Sequence, residues 1–420
     1  MKPPVPKFPR KPDSSLLVRR LNELGRVTDE PGRLTRTFLS PGMKRANALV
    51  AGWMREAGLR TRVDAVGNLI GRREGTVPGA RTLLLGSHLD TVRDAGRFDG
   101  ALGVLLPIVA LRELRRRGVR LPYAVEVIGF SEEEGVRFAS AYLGSKGYCG
   151  RLTAGDLALR DAKGVSVREA LRAGRRRSPT PLRRPQAAHG RRDLIGYLEV
   201  HIEQGPVLES RRLAVGVVAA IAGQSRFQVT WTGRAGHAGT TPMDLRRDAL
   251  AGAAEFAVGL EAIARRTPGL VATIGQISAA PGAANVIPAE VVHTLDVRHP
   301  RNPVRREALR EITRLARRIA HRRRLGLRWR RTQENAAINC SSRLTGQLAR
   351  SVGAIQRRVV SLVSGAGHDG VIVSALAPVA MLFVRCRHGL SHHPAEHVSP
   401  RDLHVALRVT LDFLQRLAAE

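Results

Sequence analysis

The chain has 420 residues, 43% of them hydrophobic, which is enough for two or three compact units with a substantial core. No run of about 18 apolar residues occurs, and the Pro-rich, basic first twenty residues hold no apolar stretch, so a membrane span and a secretory signal are both excluded and a cytoplasmic location is expected. The formal charge of +33 invites a nucleic-acid partner, but only six of the 69 basic residues are lysines and the arginines run along the whole chain, a compositional bias rather than a binding patch.

Helical patterns at Leu16 to Leu24 and Ala46 to Ala57 lead into apolar strand runs at Leu83–Leu85, Val125–Phe130 and Tyr197–Val200, with a helix-like stretch Leu105–Arg117 between the first two. This alternation predicts an α/β core. From about Ala214 the texture changes to α+β. Phe227, Val229 and Trp231 alternate with polar residues, a helix covers Asp248 to Arg265, and Val291 to Val297 reads as a strand. A basic segment from Arg305 to Arg331 follows, with Leu309, Ile312, Leu315 and Ile319 at helical spacing. After about Thr332 the α/β texture returns with a strand at Val379 to Val384 and a helix at Asp402 to Leu417. The Arg-rich stretch Arg172 to Arg192 reads as an exposed loop. Cys149, Cys340 and Cys386 are widely spaced and lack a CxxC pair, so they are expected as free thiols.

Four short segments concentrate chemistry. Gly86-Ser-His-Leu-Asp-Thr-Val92 places His88 just after a strand with Asp90 two residues on, a metal-ligand histidine with an acid to hold its other ring nitrogen. In Gly96-Arg-Phe-Asp-Gly100, Asp99 is flanked by glycine, and its carboxylate has an oxygen for each of two metals. Phe130-Ser-Glu-Glu-Glu-Gly135 packs three acids at a strand end, a repulsion that a cation would reverse; with Glu134 as ligand, Glu133 stands beside it as general base. Glu199-Val-His-Ile-Glu-Gln-Gly205 puts Glu199, His201 and Glu203 on one strand face, and Gly389-Leu-Ser-His-His-Pro-Ala-Glu396 holds a histidine pair at a turn. Any one motif alone is weak. Together they supply nitrogen and oxygen ligands without thiolate.

With Trp53-Met-Arg-Glu-Ala-Gly58 and Asp64-Ala-Val-Gly-Asn68, these segments resemble the amidase/hydantoinase/carbamoylase branch of the dinuclear-metal aminopeptidase-like family, over nearly the whole chain. The resemblance implies a three-layer α/β catalytic domain at 1–213 and 330–420, interrupted by an α+β dimerisation or lid domain at 214–329, and a homodimer. It implies two divalent ions per subunit, manganese or zinc with cobalt or nickel as further options. One would be held by His88, Asp99 and His201, the other by Asp99, Glu134 and His392, with Glu133 as base. It also implies that His237, in Gly233-Arg-Ala-Gly-His-Ala-Gly-Thr-Thr-Pro-Met243, stabilises an oxyanion, and that Gln204, Asn285 and Arg298 bind a small carboxylate substrate. Asp296 offers Arg298 a competing partner, His393 adjoins the implied ligand, and His237 has a simpler use in capping a turn. The run Met381-Leu-Phe-Val-Arg-Cys-Arg387 is similar to the allantoate-hydrolysing subgroup, which makes ureido C–N hydrolysis of allantoate the expectation. N-carbamoyl-L-amino acids or β-ureidopropionate come second, and peptide or N-acyl hydrolysis or nucleic-acid binding behind them.

Overall fold

The computed structural model describes residues 12–175, 191 and 193–419, which divide into two compact units, residues 1–219 with 340–420 and residues 220–339. The joints thus fall at 219/220 and 339/340, displaced by six and ten residues from those expected at 213/214 and 329/330.

The first unit is built on a mixed sheet whose strands run in the order Arg60–Val63, Leu69–Arg73, Ala124–Phe130, Thr82–His88, Leu194–Ile202, Val379–Val384 and Val215–Ile221. The four strands from Ala124–Phe130 to Val379–Val384 are mutually parallel and buried along their whole length. Parallel strands covered on both faces need nearly continuous apolar text, which is why Leu83–Leu85 and Val125–Phe130, the latter apolar but for Glu126, were legible as strands. Helices Ser14–Leu24, Pro41–Glu56, Ala101–Arg116, Ser342–Gln356 and Pro400–Ala418 share one core with the sheet. In Leu194–Ile202, Leu198, Val200 and Ile202 belong to that core, and alternation turns Tyr197, Glu199 and His201 to the opposite face. The C-terminal ends of the parallel strands gather the candidate residues: His88 closes one strand, the acid triplet follows the next, and His201 lies one residue from the end of the third.

The second unit has a sheet in the order Ile277–Ala280, Glu290–His299, Gly223–Thr232 and Gly326–Asn335, with helices Ala249–Arg266 and Asn302–Arg322 packed on it around Trp231, Phe256, Leu295 and Ile312. The basic segment expected as one helix is two elements: the helix stops at Arg322, and Gly326–Asn335 is a strand whose Leu327 and Trp329 pack against the core while Arg328 and Arg330 stay exposed. The stretch expected as an Arg-rich loop begins as the last turn of helix Val167–Arg175 and otherwise lies outside the described residues, Arg191 apart. Among the described residues no helix is long and apolar enough to cross a membrane.

One buried contact should make the second unit sensitive to acid. His293 Nε2 accepts a hydrogen bond from Trp231 Nε1 at 3.0 Å under the ring of Phe256, and burial lowers its pKa. A histidine whose folded pKa is depressed leaves stability untouched above the unfolded value of about 6.5 and subtracts from it as pH falls below, by up to about 1.4 kcal/mol for each pH unit between the two pKa values. His293→Gln keeps an acceptor without titrating. Its urea midpoint should therefore fall less than that of the unaltered protein between pH 7 and pH 5; identical slopes would show that His293 contributes nothing to acid sensitivity.

Candidate dinuclear metal centre

His88 and His201 are oriented by backbone. His88 Nδ1 lies 3.0 Å from the carbonyl oxygen of Asp90 and His201 Nδ1 lies 2.9 Å from that of Ile202. A carbonyl only accepts, so in each ring Nδ1 carries a proton, and Nε2 is the atom that can ligate a cation once it gives up any proton of its own. Both Nε2 atoms face the same oxygen: Asp99 Oδ1 is 3.3 Å from His88 Nε2 and 3.2 Å from His201 Nε2. Gly100, at φ 63°, lets the chain pass this close, since a β-carbon there would lie 2.4 Å from the His88 ring.

The other oxygen of Asp99 faces the loop after strand Val379–Val384. Oδ2 accepts from Ser391 Oγ at 2.7 Å and Gln204 Nε2 at 2.8 Å, and stands 3.4 Å from His392 Nε2, which is 3.5 Å from Glu134 Oε1. His392 and Gln204 both sit in left-handed backbone, at φ 56° and 55°, a conformation that costs a side-chain-bearing residue and gathers at functional sites. His393 turns elsewhere and accepts from Ala395 N at 3.1 Å. Of the adjacent pair, His392 is the one that joins the cluster.

Three sets of side chains bring a donor atom each to within 4.8 Å of one another: His88, Asp99 and His201; His88, Glu133 and Glu134; Asp99, Glu134 and His392. Asp99 serves the first and the third. His201 Nε2 is buried with Asp99 Oδ1 beside it at 3.2 Å but no well-formed hydrogen bond, a donor atom of the kind a cation satisfies. The carboxylates carry the same imprint. Burial, then the charge of Asp99, pushes Glu134 up to about 7, and burial with Glu134 alongside raises Glu133 well above the carboxylate range. Burial would also raise Asp99, but His201, His392 and His88 hold it well below its ordinary value. A nitrogen and oxygen donor set with mutually repelling acids fits divalent cations.

The Asp90 carboxylate stands 3.5 Å from His88 Nδ1, with its own carbonyl nearer at 3.0 Å, and it also accepts from the amides of Glu133 at 3.0 Å and Glu134 at 3.1 Å. It fixes the acid loop, which Asn68 supports from a second side by accepting from Ser131 N at 3.0 Å. Sequence reasoning assigned no role to Asn68, to Ser391, to buried Glu396, to His368 packed edge-on to His201 at 4.6 Å, or to Glu199, which accepts from Ser87 Oγ and Gly370 N. Its only signal for Glu396 and Ser391 was their presence in the histidine-pair motif.

Within the second unit, His237 and Asn285 are neighbours. Val286 pairs with His237 in register, and Ala238 N donates to the Asn285 carbonyl at 2.8 Å. His237 is exposed, and its Nδ1 accepts from Gly239 N at 3.1 Å, the turn contact weighed for it above. Arg298 lies on the central strand Glu290–His299 and donates to Asp296 through Nε at 3.0 Å and Nη2 at 2.8 Å; Arg226 and Gln224 hold the same carboxylate. Arg385, in the run similar to the allantoate-hydrolysing subgroup, is locked on Asp402 in a bidentate pair at 2.9 to 3.0 Å.

Residues 84–416 match the sequence profile of Peptidase family M20/M25/M40. The chain belongs to this family. Among M20 relatives it is 41% identical to "Allantoate deiminase 2" of Glycine max, over 96% of this chain and 89% of that protein. It is 42% identical to "N-carbamoyl-L-amino acid amidohydrolase" of Geobacillus stearothermophilus, over 96% and 98%. The crystal structure of an amidase of the hydantoinase/carbamoylase family from Burkholderia multivorans superposes with a TM-score of 0.90 at 32% identity, covering 98% of this chain and 99% of that one. The α/β architecture is thus that of M20 amidases.

Proposed function

We propose that this chain is a metal-dependent amidohydrolase that cleaves the ureido C–N bond of allantoate, giving ureidoglycine, ammonia and carbon dioxide. The observation that carries the reading is Asp99, with one oxygen toward His88 and His201 and the other toward His392, beside Glu133 and Glu134. When bound, two divalent ions, manganese or zinc by preference and cobalt or nickel by ligand chemistry, would supply Lewis acidity toward the ureido carbonyl and toward water. His88, Asp99 and His201 would hold one, and Asp99, Glu134 and His392 the other. Glu133 would take a proton from the attacking water and deliver it to the leaving nitrogen. His237, whose Nδ1 already accepts a hydrogen bond, keeps its proton on Nε2 and so has a donor for the oxygen of the tetrahedral intermediate. Gln204 and Asn285 would contact the substrate and Arg298 its carboxylate. The working state would be a cytoplasmic homodimer, with residues 220–339 as its lid or dimerisation unit.

Relatives bearing the allantoate name support this substrate at 41% identity, yet the 42% carbamoyl-amino-acid relative supports hydrolysis of N-carbamoyl-L-amino acids nearly as well. Arg385, engaged by Asp402, gives no reason to prefer the substrate with two ureido groups. The deciding experiment is ammonia release by manganese-supplemented protein given allantoate and, in parallel, N-carbamoyl-L-amino acids, each with a chelator control. Chelator-sensitive turnover of allantoate alone carries the first reading; turnover of carbamoyl amino acids alone replaces it with the second.

Both substrates carry a carboxylate, so Arg298→Ala should raise KM for either by roughly thirtyfold, the loss of about 2 kcal/mol for a charged hydrogen-bonded pair. Asp296 keeps Arg226 and Gln224, so the strand should survive. An unchanged KM would leave Arg298 as a partner of Asp296 alone.

A further inference from the structure

We infer that Glu396 is a positioning residue that locks the loop carrying Asp99 to the loop carrying His392, and thereby sets the affinity of the Asp99/Glu134/His392 site. The inference rests on the metal-centre reading above and goes beyond it. Glu396 is 3% exposed. Its Oε1 accepts from the amides of Phe98 at 2.8 Å and Asp99 at 3.1 Å, so it holds the backbone of the shared carboxylate from beneath. Its Oε2 lies 3.1 Å from Ser391 Oγ, which lies 2.7 Å from Asp99 Oδ2; the single hydroxyl proton goes to one while the other is held in contact. Gly96 makes room, because a β-carbon there would lie 2.3 Å from Glu396 Cβ. On its own loop, Glu396 N donates to the His393 carbonyl at 3.0 Å, and Arg387 N to that of His397 at 2.8 Å, closing the turn that presents His392. One carboxylate therefore fixes both the backbone of the shared ligand and the loop of the ligand unique to one site.

Groups that orient ligands in this way usually change metal affinity by 10- to 100-fold when removed. The test is titration of the metal-free protein with Co2+, read by its visible absorption bands, on unaltered protein and three variants. Unaltered protein should bind two equivalents. Glu396→Ala should bind one of the two equivalents at least tenfold less tightly and with altered bands. Glu396→Gln, which keeps an acceptor for both amides, should recover to within about threefold. Ser391→Ala, on a partly exposed loop where folding is not at stake, removes one strut and should weaken the same equivalent by roughly threefold to tenfold. Two equivalents bound by unaltered protein and, with the same affinity and bands, by Ser391→Ala and a folded Glu396 variant would overturn the inference alone. So would a Glu396→Gln protein as impaired as Glu396→Ala. Failure of the unaltered protein to bind cobalt would end the metal-centre reading and the inference with it.

Discussion

Glu133→Gln is expected to keep its metal ions and lose about 10³-fold in kcat, within the range that removal of a placed general base produces. The substitution is isosteric, and the anchors of the residue are backbone: its amide donates to Asp90 at 3.0 Å and its carbonyl accepts from Tyr142 N at 3.2 Å. The amide side chain should therefore occupy the same buried position without accepting a proton. Burial and the neighbouring Glu134 push the Glu133 carboxyl well above the carboxylate range, with His88 opposing them. A carboxyl raised out of the ordinary carboxylate range is better matched to taking a proton and returning it. Ammonia release beside elemental analysis separates the outcomes. Metal retained with turnover lost supports the assignment. Metal lost means that Glu133 is a ligand, and undiminished turnover removes it from the chemistry.

How much was legible depended on which physical signal each element carried. An apolar run broken only by Glu126 and followed by three acids, Val125 to Glu134, has few interpretations; the strand it implied is Ala124–Phe130, and Glu133 and Glu134 after it lie in groups that could hold a metal ion. The edge hairpin of Arg60–Val63 and Leu69–Arg73 and the strand Gly326–Asn335 went unread because they are rich in arginine. Long side chains lay their stems on apolar surface and keep their heads in water, which blurs the period-two alternation. Spacing placed Asp90 beside His88 but did not show that its carbonyl is the atom nearest the ring, or that its carboxylate, 3.5 Å from the same nitrogen, also anchors the acid loop. Spacing alone does not choose between His392 and His393; the resemblance implied His392, and the structure brings its Nε2 to 3.4 Å from Asp99 Oδ2. Glu396 meets Asp99 across 297 positions of sequence, so nothing local announced it.

Asp99→Ala should abolish binding of both ions and leave no measurable turnover, because Asp99 is the one residue common to both predicted sites and offers each a different oxygen. Stability reports this independently of activity. A ligand that binds only the folded state adds about 2.7 kcal/mol when present at 100 times its Kd, so Mn2+ should raise the unfolding midpoint of the unaltered protein and leave that of Asp99→Ala where it was. The metal-free proteins should differ too, with a sign set by protonation. Burial lowers the His201 pKa, but Asp99 outweighs it and raises the folded value above the ordinary 6.5. The attraction between protonated His201 and Asp99 is then fully present below about 6.5 and is lost as pH rises through the raised folded value. Metal-free Asp99→Ala should accordingly trail the unaltered protein most near pH 6 and approach it toward pH 9. If the variant still took up two equivalents, the carboxylate would not be the bridge, and the two sites would have to be rebuilt from His88, Glu133 and Glu134.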